Sequence, residues 1–157
     1  MIGGVHPRVL GYLGRALSLE YSSVQQYMTH ASLVELWGQT DAAERFRQET
    51  VEEIRHSERI VQQMLQLGVA PAASQLRPVR AASNLAQLLR LNMELEADLI
   101  QHYAEASRFC LMMRDEANGS FFRRLWEEEQ QHAVDLDIWL QELDPNGASG
   151  AEQRATF

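Results

Sequence analysis

The chain has 157 residues, 45% of them hydrophobic, with four prolines and nine glycines, which is enough for one domain with a substantial core. Fourteen basic residues against 22 acidic ones leave a formal charge of −8, which argues against a nucleic acid or an anionic membrane surface as partner. A lone cysteine, Cys110, rules out an internal disulfide and sits among helical apolar residues as a small core filler.

The N-terminal stretch MIGGVHPRVLGYLGRALSLE carries charges where a signal peptide needs an unbroken apolar run. No stretch of the chain is long enough to span a bilayer, so a cytoplasmic protein is expected. Pro7 predicts the N1 position of a first helix, with the apolar stripe Leu10, Leu13, Leu17, Val24, Ala31 and Val34 running to a break at Gly38. Asp41 is the expected N-cap of a second helix, whose inner face carries Phe46, Ile60, Met64 and Leu67 before a stop at Gly68. Residues 69–83, VAPAASQLRPVRAAS, hold two prolines and little periodicity, and read as a connector.

Ser83 or Asn84 is expected to cap a third helix with the stripe Leu85, Leu89, Leu99, Ala106, Cys110 and Met113. A break over residues 115–119 leads to a fourth helix that ends near Leu143, before Asp144-Pro145-Asn146-Gly147. Helices of about 25–30 residues are roughly 40 Å long. The connector, extended, reaches roughly 50 Å, enough to return along the whole bundle and set helices two and three parallel. The expected fold is all-α: residues 1–143 as a four-helix bundle with one long crossover between helices two and three, and 144–157 as a polar, disordered tail.

Each stripe is interrupted by ionisable residues. On the fourth helix, LWEEEQQHAVDLDIWL puts Glu129 and His132 among inward positions, and on the second Glu53 and His56 repeat the order Glu-x-x-His. Glu20 lies between Leu17 and Val24, and Glu96 between Leu89 and Leu99. Burying such groups unpaired costs several kcal/mol at least. Glu20 to Glu96, Glu53 to Glu129, His56 to His132 and Tyr27 to Tyr103 are all separated by 76 positions. The chain therefore reads as two helical hairpins carrying one pattern, which bring all six groups to one level when paired about a pseudo-two-fold axis.

One Glu-x-x-His is weak evidence in a chain with 16 glutamates. Two copies in register, each with a glutamate 33 positions upstream, are specific. A buried salt-bridge network would require Arg or Lys at inward positions, and there are none. Four carboxylates and two imidazoles instead suit two divalent ions, whose charge balances that of the carboxylates; without a thiolate the set favours iron or manganese over structural zinc. Tyr27 and Tyr103, seven residues beyond Glu20 and Glu96, read either as hydrogen-bonding or electron-donating neighbours of the metals or as core tyrosines, with Tyr27 favoured as the catalytic one. Glu52 and Glu128 read as solvated, and His6, His30 and His102 as surface or interface residues.

The segments HPRVLGYLGRALSLEYSSVQQYMTHA…WG, ETVEEIRHSERI, LEAD…EA and LWEEEQQH…WL together resemble bacterioferritin over residues 6 to 143, in both the order and the spacing of all six positions. The resemblance implies a ferritin-like fold and a ferroxidase centre: Glu53 and Glu129 bridge two iron ions, Glu20 with His56 and Glu96 with His132 complete their shells, and Tyr27 stands beside them. It further implies oxidation of Fe(II) by O2 or H2O2 for iron storage and detoxification. The family binds haem through a methionine directly after the second-helix ligand glutamate; Ile54 stands there and has no donor atom, so haem is not expected unless a methionine-bearing partner subunit co-assembles. The tail DPNGASGAEQRATF departs from the family's short fifth helix, so a homo-oligomer of at least a dimer is expected, with a 24-subunit cage as the larger form. The alternatives are a non-storing di-iron oxidase or peroxidase like rubrerythrin, or an accessory subunit of a mixed cage.

Overall fold

The computed structural model describes residues 4–143, and the expectation for the tail lies outside the described residues. Four helices follow one another: α1 (Pro7–Leu36), α2 (Thr40–Gln66), α3 (Leu85–Met112) and α4 (Glu116–Leu143). α1 packs on α2, α3 on α4, and α1 on α3. Among the described residues no helix is long and apolar enough to cross a membrane.

The helix ends follow from local chemistry. His6 caps α1, its Nδ1 accepting from the Arg8 N–H at 3.1 Å, and Pro7 follows at N1, where its missing N–H is harmless. Gly38 and Gly68 each take φ +80°, a left-handed conformation that costs glycine nothing. Around them the Gln39 N–H donates to the Val34 carbonyl and the Val69 N–H to the Met64 carbonyl, closing the last turns of α1 and α2 in the same way. α3 ends identically, the Asp115 N–H donating to the Cys110 carbonyl, but with Arg114 at φ 57° in place of a glycine.

Asn84 caps α3, its Oδ1 accepting from the Gln87 N–H at 2.9 Å. Asp115 serves α4 similarly, its Oδ1 accepting from the Asn118 N–H at 3.1 Å, so α4 starts at the beginning of the expected break. The expectation for Asp41 is corrected: Gln39 occupies the N-cap without a side-chain bond, and Asp41 lies in the first turn, where its charge meets the positive end of the helix.

The core forms two apolar clusters. One holds Leu13, Leu17, Ile60, Leu99, Tyr103 and Phe122; the other holds Tyr27, Phe46, Leu88, Leu136 and Trp139. Each helix passes from one cluster to the other, and on each the inward glutamate falls at the changeover. The second cluster joins the C-terminal half of α1 to the N-terminal ends of α2 and α3, so α2 and α3 are parallel as expected. Cys110 is fully buried, whereas Met113, expected on the α3 stripe, is exposed because the helix has ended one residue earlier.

The crossover is fastened along α1 by a ladder of polar side chains four residues apart. Ser18 Oγ accepts from the Gln75 N–H, Ser22 Oγ from the Arg77 N–H, and Gln26 Oε1 from the Arg80 N–H. His30 completes it, donating from Nε2 to the Arg80 carbonyl at 2.7 Å. His30 Nδ1 accepts from Asn92 Nδ2, and Asn92 Oδ1 accepts from Gln26 Nε2, so the four groups form a closed ring with every role filled. His30 is therefore a buried structural residue, and so is His102, which donates to the Tyr12 carbonyl; only His6 is exposed as expected.

Candidate metal centre

Glu20, Glu53, Glu96 and Glu129 are each fully buried, His56 nearly so, and the His132 side chain is 13% exposed. The structure brings all six together between the two apolar clusters. Two sets of four donors each gather within 4.8 Å: Glu20, Glu53, His56 and Glu129, and Glu53, Glu96, Glu129 and His132. Glu53 and Glu129 belong to both sets, whereas each remaining glutamate and histidine belongs to one.

Position on the helix explains this sharing. Glu53 and His56 lie one turn apart on α2, as do Glu129 and His132 on α4, so each pair projects to one side. Each histidine reaches across to the other helix. His56 Nδ1 lies 2.8 Å from Oε1 of Glu129, and His132 Nδ1 lies 2.9 Å from Oε1 of Glu53. The two rings stack with centroids 5.4 Å apart, both presenting Nδ1 to the carboxylates.

The second of those contacts lacks hydrogen-bond geometry. His132 Nδ1, both oxygens of Glu53, and one oxygen each of Glu20, Glu96 and Glu129 are buried without a partner. Buried polar atoms are almost always paired, so a convergent set of orphans is one that a bound cation could satisfy. Soft thiolates are absent from the set and hard oxygens dominate it, which fits a pair of divalent ions of the iron or manganese type.

The protonation energetics point the same way. Burial, followed by the repulsion of neighbouring carboxylates, pushes the Glu53 and Glu96 carboxyls well above their ordinary range, and Glu129 up to about 7. Burial pulls His56 down, but its hydrogen bonds to Glu129 and Glu20 outweigh this and raise it to about 10. Burial would likewise raise Glu20, yet the His56 contact leaves it below its ordinary value. The three raised carboxyls, Glu53, Glu96 and Glu129, thus favour protons where cations do not take their place, while Glu20 favours its charged form beside His56.

Both tyrosines join the cluster, including the less favoured one. Tyr27 donates to Glu96 Oε1 at 2.8 Å, and Tyr103 donates to Glu20 Oε1 at 2.5 Å. Burial first, and then the adjacent carboxylates, raise both phenols well above their usual value, which keeps them protonated donors.

Glu52 and Glu128 are solvated, paired with Arg55 and Arg59. Glu128 also lies 3.4 Å from the outer nitrogen of His56 and so orients that ring from behind. The residue that sequence reasoning missed is Glu49, with Oε2 buried, unpartnered and 3.6 Å from His132 Nδ1. Its signal was present, since four residues before Glu53 is the same helical face. With its side chain 21% exposed, it stands beside His132 on the more open side of the cluster.

A ferritin-like domain family model matches residues 10–145. Bacterioferritin from Rhodobacter capsulatus is 29% identical over 143 residues, covering 91% of this chain and 89% of that protein. Bacterioferritin from Brucella melitensis is 28% identical over 147 residues, with 94% and 89% covered. The solved Rhodobacter capsulatus bacterioferritin, with a metal-free dinuclear site and a haem iron, superposes with a TM-score of 0.87 at 28% identity over 92% of this chain and 90% of that one. The chain belongs to the ferritin family through its ferritin-like domain, on the bacterioferritin side of that family.

Proposed function

We propose that this chain is a ferroxidase that takes up two Fe(II) ions between its four helices and stores the Fe(III) produced. The observation that carries the reading is the overlap of two four-donor sets in Glu53 and Glu129. Shared carboxylates are bridging carboxylates, so Glu53 and Glu129 hold the two ions together. Glu20 with His56 and Glu96 with His132, each found in one set alone, are the terminal ligands. Four carboxylate charges neutralise two divalent ions, which removes the burial penalty.

Each Fe(II) surrenders one electron, with the electron pair passing to an oxidant held between the ions. With dioxygen, two Fe(II), one O2 and two protons give two Fe(III) and one H2O2. With peroxide, two Fe(II), one H2O2 and two protons give two Fe(III) and two H2O. The protein keeps the pair close in a dry site, and its carboxylates shift between oxygens as the iron charge rises. Manganese fits the same donors as an alternative ion. Ile54, half-exposed on α2, offers haem iron no donor.

The working form is a cytoplasmic homo-oligomer, a dimer at least and a cage in its storage form. Anaerobic Fe(II) titration should saturate near two ions per chain, and Glu53→Ala should abolish both this uptake and the catalysed rise in near-ultraviolet absorbance on adding oxygen. Unchanged oxidation in that variant would overturn the reading. A protein that oxidises iron but never accumulates a mineral core would point to the non-storing oxidase instead.

A further inference from the structure

The two buried tyrosines hold opposite ends of the cluster through crossed contacts. Tyr27 comes from α1 and binds Glu96 on α3; Tyr103 comes from α3 and binds Glu20 on α1. In both carboxylates the phenol takes Oε1, and in both Oε2 is left buried without a partner. The phenols themselves are held rigidly. Tyr103 packs on the Phe122 and His102 rings, and Tyr27 on Phe46, each ring in a different apolar cluster. A buried phenol needs a hydrogen-bond acceptor, and both hydroxyls find theirs in a carboxylate of the cluster.

We propose that Tyr103 is a positioning residue for Glu20, as Tyr27 is for Glu96: each phenol occupies one carboxylate oxygen and leaves the other as a single donor to the adjacent ion. The consequence is a site whose two metal positions are matched, each with one end-on carboxylate of fixed direction. Without the phenol, a terminal carboxylate is free to turn and chelate through both oxygens, which changes the coordination number of that ion alone. This inference rests on the two-metal reading above. It goes beyond it in assigning Tyr103 a part equal to that of Tyr27 and in predicting that each tyrosine governs one position.

Co(II) serves as the probe, since its visible spectrum reports coordination number without iron turnover. The wild-type chain should take up two Co(II) per chain in one unresolved step. Tyr103→Phe should split the titration into two steps, one position shifting in affinity by about 10- to 100-fold, with a change in the visible spectrum confined to half the bound metal. Tyr27→Phe should do the same to the other position, and the double variant should return to a single step. Infrared spectra of the Co(II)-loaded wild type should show carboxylate stretches split as for one-oxygen ligation, a readout that needs no variant to fold. A Tyr103→Phe protein that titrates like the wild type, or chelating carboxylates in the wild-type infrared spectrum, overturns the proposal. A wild-type chain that binds no Co(II) overturns the two-metal reading and this proposal with it.

Discussion

Glu53 is the most conflicted residue of the molecule. It faces Glu20, Glu96 and Glu129 from a fully buried position, and both of its oxygens lack partners. In the metal-free protein its raised carboxyl keeps a proton that the unfolded chain would release. Above the ordinary carboxyl value of 4.5 the folded state therefore binds more protons than the unfolded one, and stability falls as pH rises. Glu53→Gln is close in shape to the protonated acid and removes the titration. It should stabilise the metal-free protein by about 0.5–2 kcal/mol, as relief of functional strain commonly does, with a larger gain at pH 8 than at pH 5 in urea unfolding, while metal uptake is lost. The six converging groups were legible in the sequence because charged residues on an apolar stripe conflict with burial, and because the conflict recurs 76 positions later. Glu49 escaped since its position admits both a solvated and an inward side chain, and spacing does not say which. The equal roles of the two tyrosines escaped for a related reason. An i+7 offset places a ring on the right face but does not show that it reaches across to the neighbouring helix.

Helices were legible wherever a stop signal matched an apolar period. Gly38 and Gly68 marked two ends through the left-handed turn that glycine favours. The third end has the same geometry without the signal, because Arg114 takes φ 57° and bears the steric strain of an L-residue there. Arg114→Gly should therefore stabilise the fold by up to about 1 kcal/mol, the difference between relieved strain and the added freedom of the unfolded chain; an unchanged thermal midpoint would count against this. The crossover was legible as a connector but its attachment was not. Ser18, Ser22, Gln26 and His30 form a polar stripe that in most helices would simply face water. Burial lowers His30, with the Arg80 carbonyl opposing this, and its ring is clamped neutral between that carbonyl and Asn92. Phe46 on α2 and the neutral amide of Asn92 on α3 face it, and the Arg80 guanidinium turns away to Glu94. The unfolded chain protonates this histidine near 6.5 while the folded one resists. The clamp is thus fully stabilising above that pH, and its contribution is lost as pH falls through the folded value, by at most about 1.4 kcal/mol per pH unit for one proton. The carboxylate cluster pulls in the opposite sense, so the informative quantity is a difference. On going from pH 7 to pH 5, the change in stability should be more favourable for metal-free His30→Gln than for the wild type, as urea unfolding at the two pH values would show.

At the scale of the whole molecule, the apolar residues that the bundle leaves outside carry the argument. Tyr21 and Met28 stand seven residues apart on the outer face of α1, and Val51 and Ile54 three apart on the outer face of α2; all four are between about a third and a half exposed. The two helices pack directly on one another, and none of the four residues belongs to the Ser18, Ser22, Gln26 and His30 stripe that carries the crossover, so we infer that they form one outer side of the molecule. A chain with a net charge of −8 has no shortage of polar side chains for that side, and scattered single apolar residues need no explanation, but a recurring pair on each of two neighbouring helices does. A second copy related by a two-fold axis would cover the patch with itself, and any substitution there appears twice across the contact. Ile54→Arg should accordingly put two like charges into a desolvated interface and release monomers in sedimentation velocity, while the far side of α2, with Glu53 and His56, still takes two ions per chain. A wild-type protein that sediments as a monomer would remove the dimer and the cage together. Were Ile54→Arg to keep its oligomeric mass, the contact between copies would have to lie on another face.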